Sequence, residues 1–545
     1  MNTVLSIENL NVRLPAGADR SHALQQVSLE LRRNEILCVV GESGSGKSMT
    51  AGAIMGLLPD RVGAESGRID FEGRNLLELN DGELRKIRGA KIGMIFQEPM
   101  TALNPLRSIG DQIGEMFRTH AKLGRKQIAE RVQALLVDVQ ILDPQAAARA
   151  YPHELSGGQR QRAMIAMALA LEPVILIADE PTTALDVTTQ AQILKLIRDL
   201  QARKGTAVLF ITHDFGVVAE IADRVAVMQH GVLVEQGPAE QLLNRPQHPY
   251  TQALIAAVPP LTPPPVRHVS DEAILKLHGV NKVYRKGGLL SRHKRVTHAV
   301  RDVTLALPKG GTLGIVGESG SGKSTLARCI VRLLDPDGGH IEFEDVDLAT
   351  LSRRQLRQHA QHVQMVFQDP YGSLNPRRRV GELVAQGPII HGTPRRAALA
   401  KARELFALVG LDPDSTQRYP HEFSGGQRQR ICLARALALE PRVLVADEPV
   451  SALDVSVQAQ VLELLARLRQ QLGLSLLFIT HDLRVAAQIC DHIAVMKDGC
   501  VVEHGPASRV FATPEHPYTR TLLDAVPGRH WTPPTVAEEV ERIAA

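Results

Sequence analysis

Two segments of the chain combine glycines with a lysine and a serine in a pattern suited to binding phosphate. GESGSGKS stands at 41–48 and again at 317–324. Each copy follows a short apolar run and precedes a stretch with helical spacing, which is the context that a phosphate-binding loop requires. Glycines let backbone N–H groups wrap around an anion, and a helix N-terminus adds a positive field. We therefore predict two nucleotide sites in one chain.

Each loop offers a lysine for the phosphates and a hydroxyl for a metal ion. Lys47 and Lys323 are predicted to reach the β- and γ-phosphates, and Ser48 and Ser324 to hold Mg²⁺. The predicted phosphate-binding residues are Gly41, Glu42, Ser43, Gly44, Ser45, Gly46, Lys47, Ser48 and Met49 in the first copy, and Gly317, Glu318, Ser319, Gly320, Ser321, Gly322, Lys323, Ser324 and Thr325 in the second.

An acidic pair ends an apolar run in each half, in VILIADEP and in RVLVADEP. Asp179 and Asp447 are predicted to hold the Mg²⁺ shell, and Glu180 and Glu448 to polarise the attacking water. One carboxylate for the metal and one for the water is sufficient, because phosphoryl transfer depends mainly on positioning and charge neutralisation. The predicted cofactors are therefore ATP and Mg²⁺, with hydrolysis of ATP to ADP and phosphate.

The segments LSGGQRQR at 155–162 and FSGGQRQR at 423–430 each precede a helical run. Ser-Gly-Gly at a helix N-terminus is a second anion site. Because each half already has its own phosphate loop, a second anion site makes sense if it faces the nucleotide of another domain. The predicted residues are Ser156, Gly157, Gly158 and Gln159 in the first half, and Ser424, Gly425, Gly426 and Gln427 in the second.

These motifs occur in the same order in both halves, so the chain is predicted to be two copies of one domain. The segment between the copies is rich in proline, which favours an extended, semi-stiff linker. We place the domains at 1–258 and 273–545 and the linker at 259–272. Each domain is predicted to end in a tail that contains HPYT, at 248–251 and at 516–519.

Short apolar runs alternate with helical spacing in each half, which indicates a parallel α/β sheet. Residues 98–150 and 369–418 are predicted to form a separate helical subdomain in each half. The predicted strands are Ile36–Val40, Val174–Ala178, Ala207–Ile211, Thr312–Val316, Val443–Ala446 and Leu474–Ile479. The predicted helices are Ser48–Leu58, Thr188–Lys204, Ser324–Leu334 and Ser456–Leu472.

Composition disfavours several classes of protein. A hydrophobic fraction of 44% and a charged fraction of 22% are typical of a soluble globular chain. The net charge of +4, from 63 basic and 59 acidic residues, is too even to demand a nucleic-acid partner. The five cysteines form no CxxC pair, which disfavours metal knuckles and a disulfide framework. Neither a signal peptide nor a membrane-spanning apolar run is recognised, so we expect a membrane role only through a partner.

On these motifs the chain resembles the ATP-binding subunits of ABC transporters, once per half and over nearly its full length. The resemblance implies an α/β fold with two P-loop NTPase ABC cassettes in tandem. Each cassette would have a RecA-like parallel-sheet core, an antiparallel β subdomain and a helical subdomain. In that family the SGGQ loop of one cassette closes over the nucleotide of the other. The resemblance thus implies an intramolecular cassette dimer, in which the composite sites join Lys47, Asp179 and Glu180 with 424–427, and Lys323, Asp447 and Glu448 with 156–159.

Two further family motifs match single residues in each half. Gln97 and Gln368 match the Q-loop glutamine, which is expected to sense Mg²⁺ and the attacking water and to couple them to a transmembrane partner. His213 and His481 match the switch histidine, which is expected to contact the γ-phosphate. The resemblance therefore adds these four residues to the predicted nucleotide sites.

The two halves differ at the position where the family usually has an aromatic residue that stacks on adenine. Tyr284 matches this position in the second half, whereas the aligned residue in the first half is Leu14. Leucine can pack on a base but offers no π-face. We therefore predict weaker or less base-selective nucleotide binding at the first site.

The HPYT tails resemble the dipeptide and oligopeptide importer branch of the family, in which fused double cassettes serve peptide, glutathione or peptide-antibiotic uptake. The implied partners are two transmembrane permease subunits and, indirectly, a periplasmic or extracellular solute-binding protein, with the chain peripheral on the cytoplasmic face of the inner membrane. The alternative interpretation of HPYT is that it merely packs the C-terminal helix. No cysteine follows either HPYT in a way that could begin a cluster, so no iron–sulfur centre is expected.

Other tandem ATPases remain as alternatives. A soluble tandem ABC ATPase that acts on ribosomes or nucleic acid would have a long, charged helical linker, whereas this linker is short and rich in proline. A DNA-repair ATPase would carry zinc-binding cysteine pairs. An exporter cassette is a third alternative, which the HPYT tails do not favour.

Overall fold

The computed structural model describes residues 3–182, 185–265, 267, 269–286, 295–451 and 453–534. The chain divides into two compact units, one formed mainly by residues 3–258 and the other mainly by residues 259–526. The outer limits of the predicted domains, residues 1 and 545, lie outside the described ranges.

The first unit alternates strands with helices along most of its length. Its strands are β1 (Thr3–Arg13), β2 (His22–Arg32), β3 (Ile36–Val40), β4 (Gly63–Phe71), β5 (Arg74–Asn75), β6 (Ile92–Ile95), β7 (Ile175–Asp179), β8 (Ala207–Thr212), β9 (Arg224–Gln229) and β10 (Val232–Pro238). Its α-helices are α1 (Lys47–Met55), α2 (Asp81–Ile87), α3 (Pro99–Ala102), α4 (Ile109–His120), α5 (Arg125–Asp138), α6 (Pro144–Arg149), α7 (Gly157–Leu169), α8 (Val187–Lys204), α9 (Phe215–Ile221), α10 (Ala239–Asn244) and α11 (Pro249–Ala256).

The central sheet of the first unit has the strand order β10-β9-β3-β8-β7-β6. All pairs in it are parallel except β9 with β10, which run antiparallel at one edge. Strands β3, β7 and β8 are buried along their whole length, as expected for apolar strands covered on both faces. Their carboxyl ends meet at one edge of the sheet, where ligands bind in folds of this class.

A second, antiparallel sheet of the first unit has the order β2-β1-β4-β5. Its apolar residues form a core with α1 and the central sheet. The alternation of buried and exposed residues along β1 is interrupted between Ile7 and Leu10, where the pairing with β2 shifts register. Asn9 at φ 48° lies in this irregularity, and a short polar side chain tolerates that left-handed conformation.

The second unit repeats this arrangement. Its strands are β11 (Ala273–Lys286), β12 (Arg295–Pro308), β13 (Thr312–Val316), β14 (Gly338–Phe343), β15 (Val346–Asp347), β16 (Val363–Val366), β17 (Val443–Asp447), β18 (Ser475–Thr480), β19 (His492–Lys497) and β20 (Cys500–Pro506). Its α-helices are α12 (Lys323–Ile330), α13 (Arg353–His359), α14 (Pro370–Ser373), α15 (Val380–Ile390), α16 (Arg395–Leu408), α17 (Gly425–Leu437), α18 (Val455–Leu472), α19 (Leu483–Ile489), α20 (Ala507–Ala512) and α21 (Pro517–Asp524).

The sheets of the second unit match those of the first. The antiparallel sheet has the order β12-β11-β14-β15, and the central sheet has the order β16-β17-β18-β13-β19-β20. The predicted helical subdomains correspond to α3–α6 in the first unit and to α14–α16 in the second. The sequence therefore predicted the parallel sheet and the helical region correctly, and the resemblance predicted the antiparallel sheet.

The helices after the phosphate loops are shorter than predicted. Helix α1 ends at Met55 because Gly56 takes a left-handed conformation at φ 60°. The amide of Leu57 then donates to the carbonyl of Gly52, which closes the helix end. In the second unit α12 ends at Ile330, shortly before Arg332, which has φ 56°.

The described part of the proline-rich linker contains no helix or strand. It is nevertheless tied to the second unit by hydrogen bonds. The side-chain amide of Gln488 donates to the carbonyls of Pro260 and Thr262 at 2.7 and 2.9 Å, and Arg267 forms an ion pair with Asp491 at 3.2 Å. The start of the linker is therefore held by α19, and Arg267 is held by the residue just before β19.

None of the described helices is long enough and apolar enough to cross a bilayer. Four of the five cysteines are buried and Cys500 is half-buried, and all five are free thiols. Burial raises the pKa of the Cys432 thiol to about 11. A protonated, buried thiol is chemically inert, as expected for a residue that contributes only packing.

The second unit contains a buried ion pair that the first unit lacks. Arg469 of α18 lies 3.1 Å from Asp491, and both side chains are more than nine-tenths buried. The amide of Thr312 at the start of β13 also donates to Asp491, at 2.8 Å. The residue at the same place in α8 is Gln201, whose amide donates to the carbonyl of Asn34.

Replacing Arg469 by methionine should destabilise the second unit. Asp491 would keep the partly exposed Arg267 and the Thr312 amide but lose its buried cation, so we expect a loss of about 2 kcal/mol, less than for a fully unpaired buried carboxylate. Hydrogen exchange followed by mass spectrometry checks this, because peptides from β13 should lose protection while peptides from β3 do not. Arg467→Met is the matched control, since Arg467 is exposed on the same helix. Equal protection in the two variants would contradict the prediction.

Candidate functional site

The phosphate loop of the first unit lies between β3 and α1, at the carboxyl edge of the central sheet. Its glycines at 41, 44 and 46 have φ of 150°, 75° and 107°, in the left-handed region that favours glycine. A Cβ atom at Gly41 would lie 2.2 Å from the carbonyl oxygen of Met228 in β9. The second loop repeats this geometry, with 2.2 Å between a Cβ at Gly317 and the carbonyl oxygen of Met496.

The loop lysines are buried and fold back onto their own loops. Lys47 Nζ donates to the carbonyls of Gly41 at 2.7 Å and Glu42 at 2.9 Å. Lys323 Nζ donates to those of Gly317 and Glu318, both at 2.7 Å. Burial lowers the pKa of Lys323, against the attraction of nearby carboxylates. The ammonium is therefore held under the loop, within reach of an anion bound above it.

Other loop residues contribute in different ways. Ser43 and Ser319 are exposed, whereas Ser45 and Ser321 are buried. The side chain of Met49 packs against the core, and Thr325 is half-buried. Met49 can therefore offer a ligand its backbone but not its side chain.

The serine and the aspartate predicted to hold Mg²⁺ are hydrogen-bonded to each other in each unit. Ser48 Oγ donates to Asp179 Oδ1 at 3.0 Å, and Ser324 Oγ donates to Asp447 Oδ1 at 2.9 Å. Burial raises the pKa of Asp179 to about 6, and the Ser48 hydrogen bond opposes this shift. Burial also raises the pKa of Asp447. A buried carboxylate with a neighbouring hydroxyl is a set of hard oxygen donors, which suits Mg²⁺.

The predicted catalytic carboxylates are each held between a glutamine and a histidine. Gln97 Nε2 donates to Glu180 Oε2 at 3.0 Å, and His213 Nδ1 lies 3.2 Å from Glu180 Oε1. Glu180 has φ 46°, which is uncommon for a residue other than glycine, and its amide donates to the carbonyl of Ile211. The turn after β7 thus directs the carboxylate out from the carboxyl edge of the sheet.

The second unit holds Glu448 in the same way. Gln368 Nε2 donates to Glu448 Oε2 at 2.8 Å, and His481 Nδ1 lies 3.1 Å from the same oxygen. Glu448 has φ 47°. Burial opposes ionisation, but the hydrogen bond from His481 and the charges of His481 and Lys323 together lower the pKa of Glu448. The carboxylate is therefore ionised at neutral pH, as a group that polarises water must be.

The SGGQ segments cap the helices that follow them. The Ser156 hydroxyl accepts from the amide of Gln159 at 3.3 Å, and the Gln159 side chain accepts from the amide of Ser156 at 3.0 Å. Ser424 and Gln427 form the same capping box at the start of α17. Ser156 and Ser424 are exposed. The exposed serine thus marks the N-terminus of each helix, which is the kind of position where an anion can bind.

The two residues at the position predicted to stack on adenine differ in their surroundings as well as in residue type. Tyr284 lies in β11 and is 38% exposed. Leu14 follows β1 and packs partly buried against the core of the first unit.

The guanidinium of Arg20 donates to the carbonyl of Gly44 in the first loop. Sequence reasoning missed Arg20, because an arginine in a polar turn carries no motif.

A second group of missed residues comes from the HPYT tails. The amide of Glu42 donates to the hydroxyl oxygen of Tyr250 at 3.2 Å, and that of Glu318 donates to the hydroxyl oxygen of Tyr518 at the same distance. The sequence places each tyrosine at least 200 residues from its loop. The repeated HPYT motif was a signal that these residues matter, but not of where they lie.

Comparison with known proteins places these two loops in a family. The ABC transporter family matches residues 24–183 and 300–451, which contain both phosphate loops and both SGGQ segments. The chain belongs to the ABC transporter family. The C-terminal region of oligopeptide/dipeptide transporters also matches, at 234–274 and 502–541. The prediction of a tandem double cassette in this branch is confirmed, and with it the prediction that the chain is an ATPase.

Similar proteins match this chain over nearly its whole length. The glutathione import ATP-binding proteins GsiA of Escherichia coli (strain K12) and of Shigella boydii serotype 4 (strain Sb227) are each 47% identical to this ABC protein. The match covers 96% of this chain and 89% of each relative. Among solved structures, the dimeric bacterial ABC transporter cassette MJ0796 is 30% identical over 43% of this chain and 98% of its own, with a TM-score of 0.40. The alternative of a ribosomal or nucleic-acid ATPase gains no support from these relatives.

Replacing both Glu180 and Glu448 by glutamine should abolish ATP turnover while leaving ATP binding intact. The amide keeps the shape of the side chain but cannot polarise water, so we expect turnover to fall by about 100-fold or more. Phosphate release measures turnover, and equilibrium binding of labelled ATP measures occupancy.

The control for this variant is Glu172→Gln with Glu440→Gln. These glutamates share the left-handed backbone, at φ 52° each, but pair with Lys204 and Lys401 on the surface. Turnover should be unchanged in the control. Retained turnover in the Glu180 and Glu448 variant would remove these carboxylates from the catalytic role.

The asymmetry at the adenine position predicts unequal ATP affinities. In Lys323→Ala only the first loop keeps its lysine, and in Lys47→Ala only the second does. We expect the dissociation constant for MgATP at the first site to be about five-fold higher, since an aromatic contact contributes on the order of 1 kcal/mol. Calorimetry on the two variants measures the ratio, and adding Tyr284→Leu should remove it. Equal affinities before that change would contradict the prediction.

Proposed function

We propose that this ABC ATPase drives the import of small peptides or peptide-like solutes, glutathione among them. The observation that carries the proposal is the combination of two complete cassettes with two oligopeptide/dipeptide transporter tails in one chain. The relatives named for glutathione import are 47% identical to this chain over 96% of its length. Import of a peptide-like solute is therefore favoured over export.

The proposed chemistry uses the same six groups in each half. The loop lysine neutralises phosphate charge, while the serine hydroxyl and the aspartate would hold Mg²⁺. Mg²⁺ supplies further charge neutralisation when it is bound with the nucleotide. The glutamate accepts a proton from water, and the glutamine and histidine that contact it keep its carboxylate in place. The hydrogen bonds around Glu180 and Glu448 support this assignment.

The proposed partners are two transmembrane permease subunits, fed by a periplasmic or extracellular solute-binding protein. We infer a peripheral position on the cytoplasmic face of the inner membrane, where the permeases would contact the cassettes. The solute would then contact the permeases and the binding protein rather than this chain. Composite ATP sites within a cassette dimer, and the absence of an iron–sulfur cluster, stay predictions from the resemblance.

Uptake in the native host tests the function. The host gene is replaced by the wild type, by the Glu180→Gln and Glu448→Gln variant, or by the Glu172→Gln and Glu440→Gln control. We expect uptake of labelled glutathione or a labelled dipeptide to be lost only with the first variant. Affinity purification of the tagged wild-type chain from membranes should recover two proteins with multiple membrane spans.

Two results would contradict the proposal. Unchanged uptake of all labelled peptides in the hydrolysis-deficient strain would show that the transporter serves another class of solute. Recovery of ribosomes in place of membrane proteins would instead favour a soluble ATPase.

A further inference from the structure

The HPYT segments begin the last helix of each tail, and each residue type has a local role there. The ring nitrogen Nδ1 of His248 accepts from the amide of Tyr250 at 3.2 Å, which caps α11. His516 caps α21 in the same way, accepting from Tyr518 at 3.1 Å. Proline follows the histidine at the first helical position, where no N–H is needed. The motif therefore fixes where the helix starts and which way its tyrosine points.

A glutamate ties each tail to the sheet that carries the phosphate loop. Glu235 of β10 accepts from the amides of Gln247 at 2.8 Å and His248 at 3.1 Å. Glu503 of β20 accepts from Glu515 at 2.9 Å and from His516 at 3.0 Å. Bonds from backbone amides to a carboxylate are among the stronger hydrogen bonds. They fix the start of the tail helix relative to the edge strand.

The tyrosine hydroxyl then reaches the second residue of the phosphate loop. The Glu42 amide donates to Tyr250 at 3.2 Å, and the hydroxyl lies 3.4 Å from the Glu42 carboxylate. In the second unit the Glu318 amide donates to Tyr518, whose side chain is 7% exposed. Lys497 lies 4.7 Å above the Tyr518 ring, which adds a cation–π contact. The same contact to a loop amide thus occurs in both units.

The residue held by the tyrosine also holds the loop lysine. The carbonyl of Glu42 accepts from Lys47 at 2.9 Å and from the amide of Ser45 at 3.1 Å. The carbonyl of Glu318 accepts from Lys323 at 2.7 Å. The amide of Glu42 or Glu318 is therefore fixed by the tail tyrosine, and the carbonyl of the same residue is fixed by the loop lysine. We therefore expect loss of the tyrosine contact to shift the loop residue that holds the lysine, and with it the lysine that binds phosphate.

We propose that Tyr250 and Tyr518 are positioning residues for ATP binding, each holding its phosphate loop through the amide of Glu42 or Glu318. This proposal rests on the ATP-binding role of the two loops. The tyrosines do not touch the reacting atoms. Their contribution is preorganisation, since a loop already fixed in its binding shape loses less freedom when ATP binds.

The test is Tyr250→Phe with Tyr518→Phe in the full chain. Phenylalanine keeps the ring and its packing and removes only the hydroxyl acceptor. We expect KM for ATP to rise about five-fold, the effect of one ordinary hydrogen bond, while kcat stays within about two-fold. The dissociation constant for MgATP, measured with Glu180→Gln and Glu448→Gln also present, should rise by the same factor.

Tyr151→Phe with Tyr419→Phe is the matched control, because these tyrosines are 42% and 37% exposed and stack on His153 and His421. KM should not change in the control. Hydrogen exchange in the nucleotide-free protein adds a second measurement. Peptides covering 41–46 and 317–322 should exchange faster in the Tyr250 and Tyr518 variant, at an unchanged melting temperature.

Three outcomes oppose the proposal, and they are distinguishable. Unchanged KM and dissociation constant in an active protein would overturn the positioning role and leave the ATPase assignment standing. A lower melting temperature with unchanged KM would give the tyrosines a purely structural role. Absence of ATP binding by the wild type would overturn the role of the loops, and the positioning proposal with it.

Discussion

The buried ammonium of the loop lysine is the interaction on which each unit depends. A charged amine removed from water needs acceptors, and here the carbonyls of the first two loop residues supply them. Those carbonyls point inward only because the first glycine adopts a left-handed conformation beneath the neighbouring strand, where a Cβ would collide with a carbonyl oxygen. Lysine, glycine and strand order are therefore mutually dependent.

The two units share this arrangement but are not equivalent. The hydrogen-bonded serine and aspartate, the glutamate with its two partners and the tyrosine contact recur at closely similar distances. The differences lie around them: Tyr284 is presented on a strand, whereas Leu14 packs into the core, and the place of Arg469, which pairs with Asp491, is taken by Gln201 in the first unit. A duplicated chain can thus keep one arrangement of side chains in both copies while the residues around it diverge.

Local patterns predicted a large part of the fold. The strands at Ile36–Val40 and Thr312–Val316 agree with prediction at both ends, because a short, largely apolar run directly before a glycine loop is typical of a buried strand. The helix after the first loop was predicted too long, since helical spacing continues past Gly56, whose left-handed conformation ends the helix.

Contacts between distant residues required more than local patterns. Ser48 meets Asp179 across 131 residues, and this pairing was predicted because both belong to recognised motifs. Arg20 and Tyr250 also reach the first loop, but no periodicity or motif of known chemistry sets their position. Their positions depend on the strand order and on the direction in which the chain leaves β10. Both are known only from the folded structure.

The contacts of Tyr250 and Tyr518 with the phosphate loops have a consequence for where a cassette ends. The family matches divide each half into a nucleotide-binding segment and a tail segment, at 24–183 and 234–274 in the first half and at 300–451 and 502–541 in the second. The hydrogen bonds from Glu42 to Tyr250 and from Glu318 to Tyr518 join the two segments of each half. A phosphate loop has its outer support only when the chain continues through α11 or α21. In physical terms the smallest complete cassette therefore includes its tail, and the two matched segments of each half belong mainly to one compact unit.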